Sequence, residues 1–435
     1  MPVHRPPALF LHSAFRSGST WFWNKFRQSP HVCAYYEPFN EALATLDPAQ
    51  LAEGGTAPWP TGHPVLNAPY YAEYAPLLRP EGGGAHFDPR FSYEAYFDDG
   101  AEEEQRRYIA NLISHATTSG TLPVLGFCRS LVRLPWFRRQ FEGVHIATWR
   151  NPWDQWASCH DQAVHHKNAY FEFRAFLIAS IGVCHDDYHD VFGDLQLPPF
   201  LKYTTVSDEK FLYPFFYATH VNQRFRIFLR VFLLDMLTAL THADVVVDLD
   251  RLGGDPAYRQ EVTTQLRDLS GLDDLSFDDC ALPRHPYQDD GDYVAEMDEA
   301  LAFLDRYGER LTPGSPELTA LGTLKARMAE CRQKMAEAAA TLPAVTDDSS
   351  EAEDDGFDRL SLCHVLFAAR RMVKGDSDPT AALTYLRSVY GADFAACQAG
   401  LAEVAEFVQW LGGDPAYANE RVAAGRLGEV LRAGG

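Results

Sequence analysis

The chain has 435 residues, nearly half of them apolar, and a formal charge of −22. That length and composition allow a full hydrophobic core and a second, smaller one, and exclude a disordered or fibrous protein. The acidic balance argues against a general nucleic-acid or anionic-membrane surface, so any anionic ligand has to be gripped in a local basic pocket.

Four short apolar runs read as buried parallel strands: "ALFLHSAF" from Ala8, "LPVLGFC" ending at Cys128, "VHIATW" ending at Trp149 and "ADVVVDL" from Ala243. Near-continuous apolar character is what strands covered on both faces show. A turn and then a helical period follow most of them, as in "STWFWNKF", "PWDQWASCH" and "DPAYRQEVTTQLRDL". The fold class expected is α/β.

Between the first two of these strands, at about 55–105, lies an aromatic-rich insert containing "NAPYYAEYAPLLRPEGGG", too long for a simple connection and placed to cover or line a site. Its Tyr and Phe serve equally well to stack on an acceptor or to pack the loops. The most apolar window, "FRIFLRVFLLDMLTAL", is broken by Arg226, Arg230 and Asp235 too soon for a membrane span of about 20 residues, so a buried helix and no integral membrane segment are expected.

The first domain is expected over 1–312, followed by a helical extension over 313–345, an acidic linker over 346–358 ("TDDSSEAEDDGFD") and a C-terminal helical region over 359–435. "LGGDPAY" occurs at Leu252 and again at Leu411; Asp-Pro caps and starts a helix, which explains the echo better than a repeat architecture. The eight cysteines lack metal-type spacing, and the start of the chain lacks the pattern of a secretory signal. Free thiols and a cytoplasmic location are the expectation.

Arg16-Ser17-Gly18-Ser19-Thr20 sits between the first strand and a helical pattern. A strand, a Gly/Ser turn and a helix amino terminus aim backbone N–H groups and a dipole at one point, which suits phosphate or sulfate. Arg16 adds a cation and Ser17, Ser19 and Thr20 add hydroxyls. Taken alone, five such residues fit an ordinary capped turn equally well. In "ATWRNPWDQWASC", Arg150 ends a strand, Asn151 occupies a helix cap, Pro152 the first helical position, and Ser158 lies two turns on. Alone, this pair reads as a surface Arg and a helix Ser.

Together the two stretches resemble the sulfotransferase family, which uses 3′-phosphoadenosine-5′-phosphosulfate (PAPS). "RSGSTW", Arg16 through Trp21, resembles that family's 5′-phosphosulfate loop, and "RNPWDQWAS", Arg150 to Ser158, its 3′-phosphate motif. The resemblance covers roughly residues 5–300, with a weaker match at Asp248-Leu249 in "VVVDLDRL". It implies a three-layer sandwich with a P-loop-like phosphosulfate-binding loop, PAPS as co-substrate, and donor contacts from Arg16, Ser17, Gly18, Ser19, Thr20, Trp21, Arg150 and Ser158, with Trp21 over the adenine.

Members acting on sugars carry a Glu-Pro after the first helix. Glu37-Pro38 in "AYYEPFNE" matches, implying Glu37 as general base, Arg16 as the catalytic cation and a glycan or glycolipid hydroxyl, or a small molecule, as acceptor. The His used by the cytosolic small-molecule branch is missing from "GFCRSLVRLP", where Arg129 is the cation, either for the donor or for a structural ion pair. His160, His165 and His166 are not spaced for one metal ion, and no metal site is expected. Two other readings remain: a kinase, against which the missing Gly-Lys-Ser/Thr counts, and a non-catalytic nucleotide-binding protein whose helical tail recruits a partner.

Overall fold

The computed structural model describes residues 6–53, 66–97, 102–195, 197, 212–288, 290–341, 379–391 and 418–432, together with isolated positions between 365 and 405. The insert residues 54–65, the linker 346–358 and the second "LGGDPAY" therefore lie outside the described residues. Two compact units are present. The first takes in Met1–Phe192, Pro199–Val206 and Phe225–Leu342; the second takes in Gly193–Pro198, Ser207–Arg224 and Pro343–Gly435.

The first unit is an α/β body around five parallel strands: β1 (Leu9–His12), β2 (Val32–Tyr36), β3 (Leu122–Phe127), β4 (Val144–Trp149) and β5 (Val245–Asp248), in the order β2-β3-β1-β4-β5. Leu9 of β1 pairs with Val124 on one side and Val144 on the other, so β1 is central. The four expected strands are all present. The edge strand β2 lies inside "HVCAYYEP", where a five-residue run next to a helical pattern carries too little periodicity to stand out.

Alternation along β1 sends its side chains to two different cores. Leu9 and Leu11 join Val124, Ile146 and Val247 in one cluster, closed by Phe22, Trp23 and Phe26 of α1 (Ser19–Arg27) and by Val262 and Leu266 of α7 (Pro256–Ser270). Phe10 joins Tyr35, Leu125 and Phe127 in the other, closed by Tyr108 and Leu112 of α2 (Glu102–Thr118) and Phe137 of α3 (Leu134–Gln140). Each large apolar side chain fully buried this way contributes about 1.5–3 kcal/mol.

Two histidines sit among these apolar side chains. His12 Nδ1 lies 2.7 Å from Ser130 Oγ and its Nε2 lies 3.1 Å from His145 Nδ1, so both ring nitrogens of His12 have a partner. Burial, and then the neighbouring His145, holds His12 well below its ordinary value. Burial pushes His145 down to about 4.

The apolar window forms α6 (Val221–His242), preceded in the chain by α4 (Pro152–His165) and α5 (Tyr170–Gly182). No helix among the described residues is long and apolar enough to cross a membrane. The charges that break the window are accommodated individually. Arg230 stacks 3.7 Å from the centre of the Phe303 ring, and buried Asp235 accepts from the Tyr96 hydroxyl at 3.2 Å while burial raises its carboxyl to about 7. At the first "LGGDPAY", Asp255 accepts from the Ala257 and Tyr258 amides and starts α7 at Pro256, which is the helix-start chemistry expected.

Two further helices, α8 (Tyr293–Gly308) and α9 (Pro316–Ala339), complete this unit and are joined by the Arg332–Asp298 ion pair at 2.7 Å. The helical extension is thus part of the α/β body. The second unit contains α10 (Pro379–Tyr390) and α11 (Ala418–Arg432), and has its own apolar cluster around Leu386, Leu401 and Leu427.

Candidate anion-binding site

The order β2-β3-β1-β4-β5 makes the chain leave β1 toward one edge of the sheet, through α1, while β4 is continued toward the other edge. Where strand order reverses in this way, a crevice opens beyond the carboxyl ends of the two adjacent strands. Both sequence motifs end up there: Arg16-Ser17-Gly18 follows β1, and Arg150-Asn151-Pro152 follows β4.

The loop after β1 is held by its own side chains. Ser17 Oγ donates to Ala14 O at 2.8 Å and lies 3.4 Å from Thr148 Oγ1, and Thr148 in turn donates to Ser13 Oγ at 2.8 Å. Arg16 has φ 60° and Gly18 φ 92°, two left-handed residues within three positions. For Gly18 this conformation is easy; for Arg16 it carries strain of the kind that collects at functional turns. Gly18 is also the N-cap of α1, so no side chain caps that helix, and no acidic residue stands in its first turn. The amino end of α1 keeps its backbone donors and its positive dipole available.

The second motif forms as the sequence implied. Asn151 Oδ1 accepts from the amides of Trp153 and Asp154 at 2.9 and 3.4 Å, and Pro152 opens α4. Cys331 of α9 donates to the same Asn151 oxygen at 3.2 Å, so the extension braces this cap. Arg150 is buried and donates to Arg16 O at 2.6 Å and to Pro283 O at 2.5 Å. Ser158 accepts from Arg16 Nε at 3.0 Å. Arg16, Arg150 and Ser158 therefore converge, with the Arg16 guanidinium 4.9 Å from the centre of the Phe171 ring. Burial pulls both guanidinium groups below their ordinary values. A buried and a half-buried cation this close favour a bound anion.

The other loop residues have protein partners of their own. Ser19 Oγ accepts from the Cys128 thiol at 3.2 Å, and Thr20 Oγ1 lies 3.0 Å from the Tyr36 hydroxyl. Trp21 is half-buried against Phe277, their ring centres 6.0 Å apart, with the Lys25 ammonium 5.5 Å from the centre of its ring.

Glu37 follows β2 with φ 40°, and its amide donates to Gly126 O at 2.7 Å. With Ser13, Ser19, Tyr36 and Cys128 it lines a small cleft that opens beside the loop. Burial, and after it the negative charge of Glu37, holds the Cys128 thiol well above its ordinary value. Glu37 is buried and ion-paired with Arg129.

Arg129 is the hub of a network that the sequence reading did not find. It donates to Glu41 Oε2 at 2.6 Å, to the Tyr170 hydroxyl at 2.8 Å and to the Tyr93 hydroxyl at 2.9 Å. Arg174 lies 3.9 Å from the centre of the Tyr170 ring and 3.7 Å from Glu41. Burial opposes the charge on Arg129, but Glu41, Tyr93, Tyr170 and Glu37 together hold it well above its ordinary value. Tyr93 comes from the aromatic insert, so at least one insert residue supports the wall of the cleft; Tyr70, Tyr74, Phe87 and Phe91 are core.

Of the histidines, His160 is buried between Glu172 at 3.3 Å and Asp290 at 2.7 Å and stacks on Trp156, while His165 and His166 are exposed. Burial opposes its protonation, but hydrogen bonds to Asp290 and Glu172 raise His160 to about 9. Among the described residues no three His, Cys, Asp or Glu side chains are grouped to hold a metal ion. No family model, curated protein or solved structure matches the chain.

Proposed function

We propose that the protein is a sulfotransferase that moves the sulfuryl group of PAPS to a hydroxyl, with a glycan or glycolipid as acceptor. The observation that carries this reading is the convergence of Arg16, Arg150 and Ser158 at the ends of the adjacent strands β1 and β4. The donor's chemistry fits the residues there: an uncapped α1 terminus behind left-handed Gly18, a half-buried Arg16 beside a buried Arg150, and an Arg150 Nε with no hydrogen-bond partner.

PAPS supplies a sulfuryl group on a phosphate leaving group, poised for in-line displacement. The amides at the start of α1 and the Arg16 guanidinium hold the charge that develops on the 5′-phosphate as the sulfur–oxygen bond breaks. Arg150 and Ser158 hold the 3′-phosphate and thereby fix the donor's register. Glu37, which lines the same small cleft as Ser19, takes the acceptor hydroxyl's proton as its oxygen bonds to sulfur. Arg129 orients that carboxylate, and Glu41, Tyr93 and Tyr170 orient Arg129.

The test is to incubate the protein with labelled PAPS and a panel of glycans, glycolipids and small alcohols, with and without a chelator. Labelled product that is indifferent to the chelator is the expected result. Metal-dependent transfer of phosphate from ATP would replace this reading with the kinase one, and binding of the nucleotide without any turnover would leave a nucleotide-binding protein.

A further inference from the structure

Residues 282–285 cross the mouth of the crevice. Leu282 methyl carbons lie 2.9 and 3.6 Å from where a Cβ on Gly18 would stand. Pro283 O accepts from Arg150, the His285 amide donates to Asp154 Oδ1 at 2.8 Å, and His285 O accepts from Trp153 Nε1 at 3.3 Å. The backbone of His285 is therefore pinned on both sides to the start of α4. Its Nε2 is buried with no hydrogen-bond partner, and so is Nε of Arg150, a residue only 3% exposed. Two buried, unpartnered nitrogens on residues tied together through Pro283 O and the start of α4 are what an anionic ligand would satisfy.

We infer that His285 is a third ligand of the anion held by Arg150, and that it binds as the imidazolium, so the anion and a proton are taken up together. The inference rests on the reading of this crevice as the donor's 3′-phosphate pocket. The charged groups that face His285 are Arg16 on the loop and Arg150, Asp154 and Asp161 at the start and along the length of α4. Burial, and then Arg150, holds the imidazole below its ordinary value; the two aspartates oppose this and Arg16 adds to it. Without ligand the ring is accordingly neutral at neutral pH. A phosphate dianion cancels the field of the two arginines and offers Nε2–H an acceptor, so it favours the protonated ring. The extra affinity is complete below the free-state pKa of His285 and is lost as pH rises through its bound-state pKa.

The experiment is calorimetry of adenosine 3′,5′-bisphosphate binding to the full chain at about pH 6 and about pH 8, each in two buffers of different ionisation enthalpy. The wild type is expected to take up protons on binding and to lose roughly tenfold in affinity between the two conditions, about the effect of one ionisation moved by one unit. His285→Gln keeps the pinned backbone and is expected to bind, with smaller proton uptake and a flatter pH dependence; the phosphates' own ionisation is common to both proteins and cancels in the difference. His285→Asn serves as the second variant, with a melting curve for each. Equal proton uptake in wild type and variants overturns the role of His285 while leaving the donor site standing. Absence of binding by the wild type at either pH overturns the donor-site reading and this inference with it.

Discussion

Arg16 Nε donates to Ser158 Oγ at 3.0 Å across 142 residues of sequence. The carbonyl of the same Arg16 accepts from Arg150 Nη1 at 2.6 Å. One residue of the turn after β1 thus bonds both landmarks of the segment after β4, and the two halves of the crevice are set as one piece. Predictions for the site follow from that coupling.

Arg150→Met is expected to remove the preference for adenosine 3′,5′-bisphosphate over AMP. One charge-assisted contact is worth about 1.5–3 kcal/mol, or roughly 10- to 150-fold in affinity. Calorimetry with both nucleotides measures it, and equal affinities in the wild type would end the assignment of a 3′-phosphate site. Because Arg150 also bonds Arg16 O and Pro283 O, the melting temperature should drop as well, and it has to be recorded alongside.

Gly18→Val meets two obstacles at once. A β-branched residue at φ 92° costs on the order of 1–3 kcal/mol, and its Cβ would come 2.9 Å from Leu282 and 3.2 Å from Leu249. Loss of nucleotide binding with retention of the far-UV circular dichroism spectrum is the expected result. Wild-type binding by this variant would show that the turn holds no ligand.

Glu37→Gln preserves shape and removes the proton acceptor. Arg129 keeps Glu41 as its charged partner, so the fold and nucleotide binding should survive while turnover falls by about 10² to 10⁴. Single-turnover assays separate the two effects. A variant that turns over at the wild-type rate would reduce Glu37 to a structural partner of Arg129.

Stability should fall on both sides of neutrality, for different reasons. His145 in the fold sits at about 4, below its unfolded value of roughly 6.5, so the unfolded chain binds more protons between those values. The stability it contributes is present above about pH 6.5 and is lost as pH falls toward 4, to the extent of about 3 kcal/mol. His160 works in the opposite sense. With a folded value of about 9, its contribution is complete below about pH 6.5 and disappears as pH rises through 9. Denaturant melts across this range should trace a maximum near neutrality, and Asp290→Asn should flatten the alkaline side. A profile without an alkaline limb in the wild type would contradict the His160 assignment.

The four strands that were legible in the sequence are those buried on both faces along nearly their whole run, as in "VHIATW", where only Val144 is half-buried, because near-continuous burial leaves a near-continuous apolar signature. β2 escaped notice because its five residues are flanked by a helix and by Glu-Pro, and its pairing with β3 is a long-range event that local pattern does not encode. The Gly18 turn and the Asn151-Pro152 helix start were likewise readable, since a glycine turn after a strand and an Asn-Pro helix start are local backbone chemistry.

What the sequence by itself determined, then, was the set of local elements and the chemistry at their ends. Only the tertiary structure decided which ends meet. Glu41, Tyr93, Tyr170 and Arg174 are scattered over some 130 residues and form one network only because strand order places β3 between β2 and β1 and brings α5 over Arg129. His285 has no motif around it at all. Its place beside Arg150 comes from backbone bonds to Asp154 and Trp153, and such contacts are set by the three-dimensional path of the chain, which side-chain pattern along the sequence does not record.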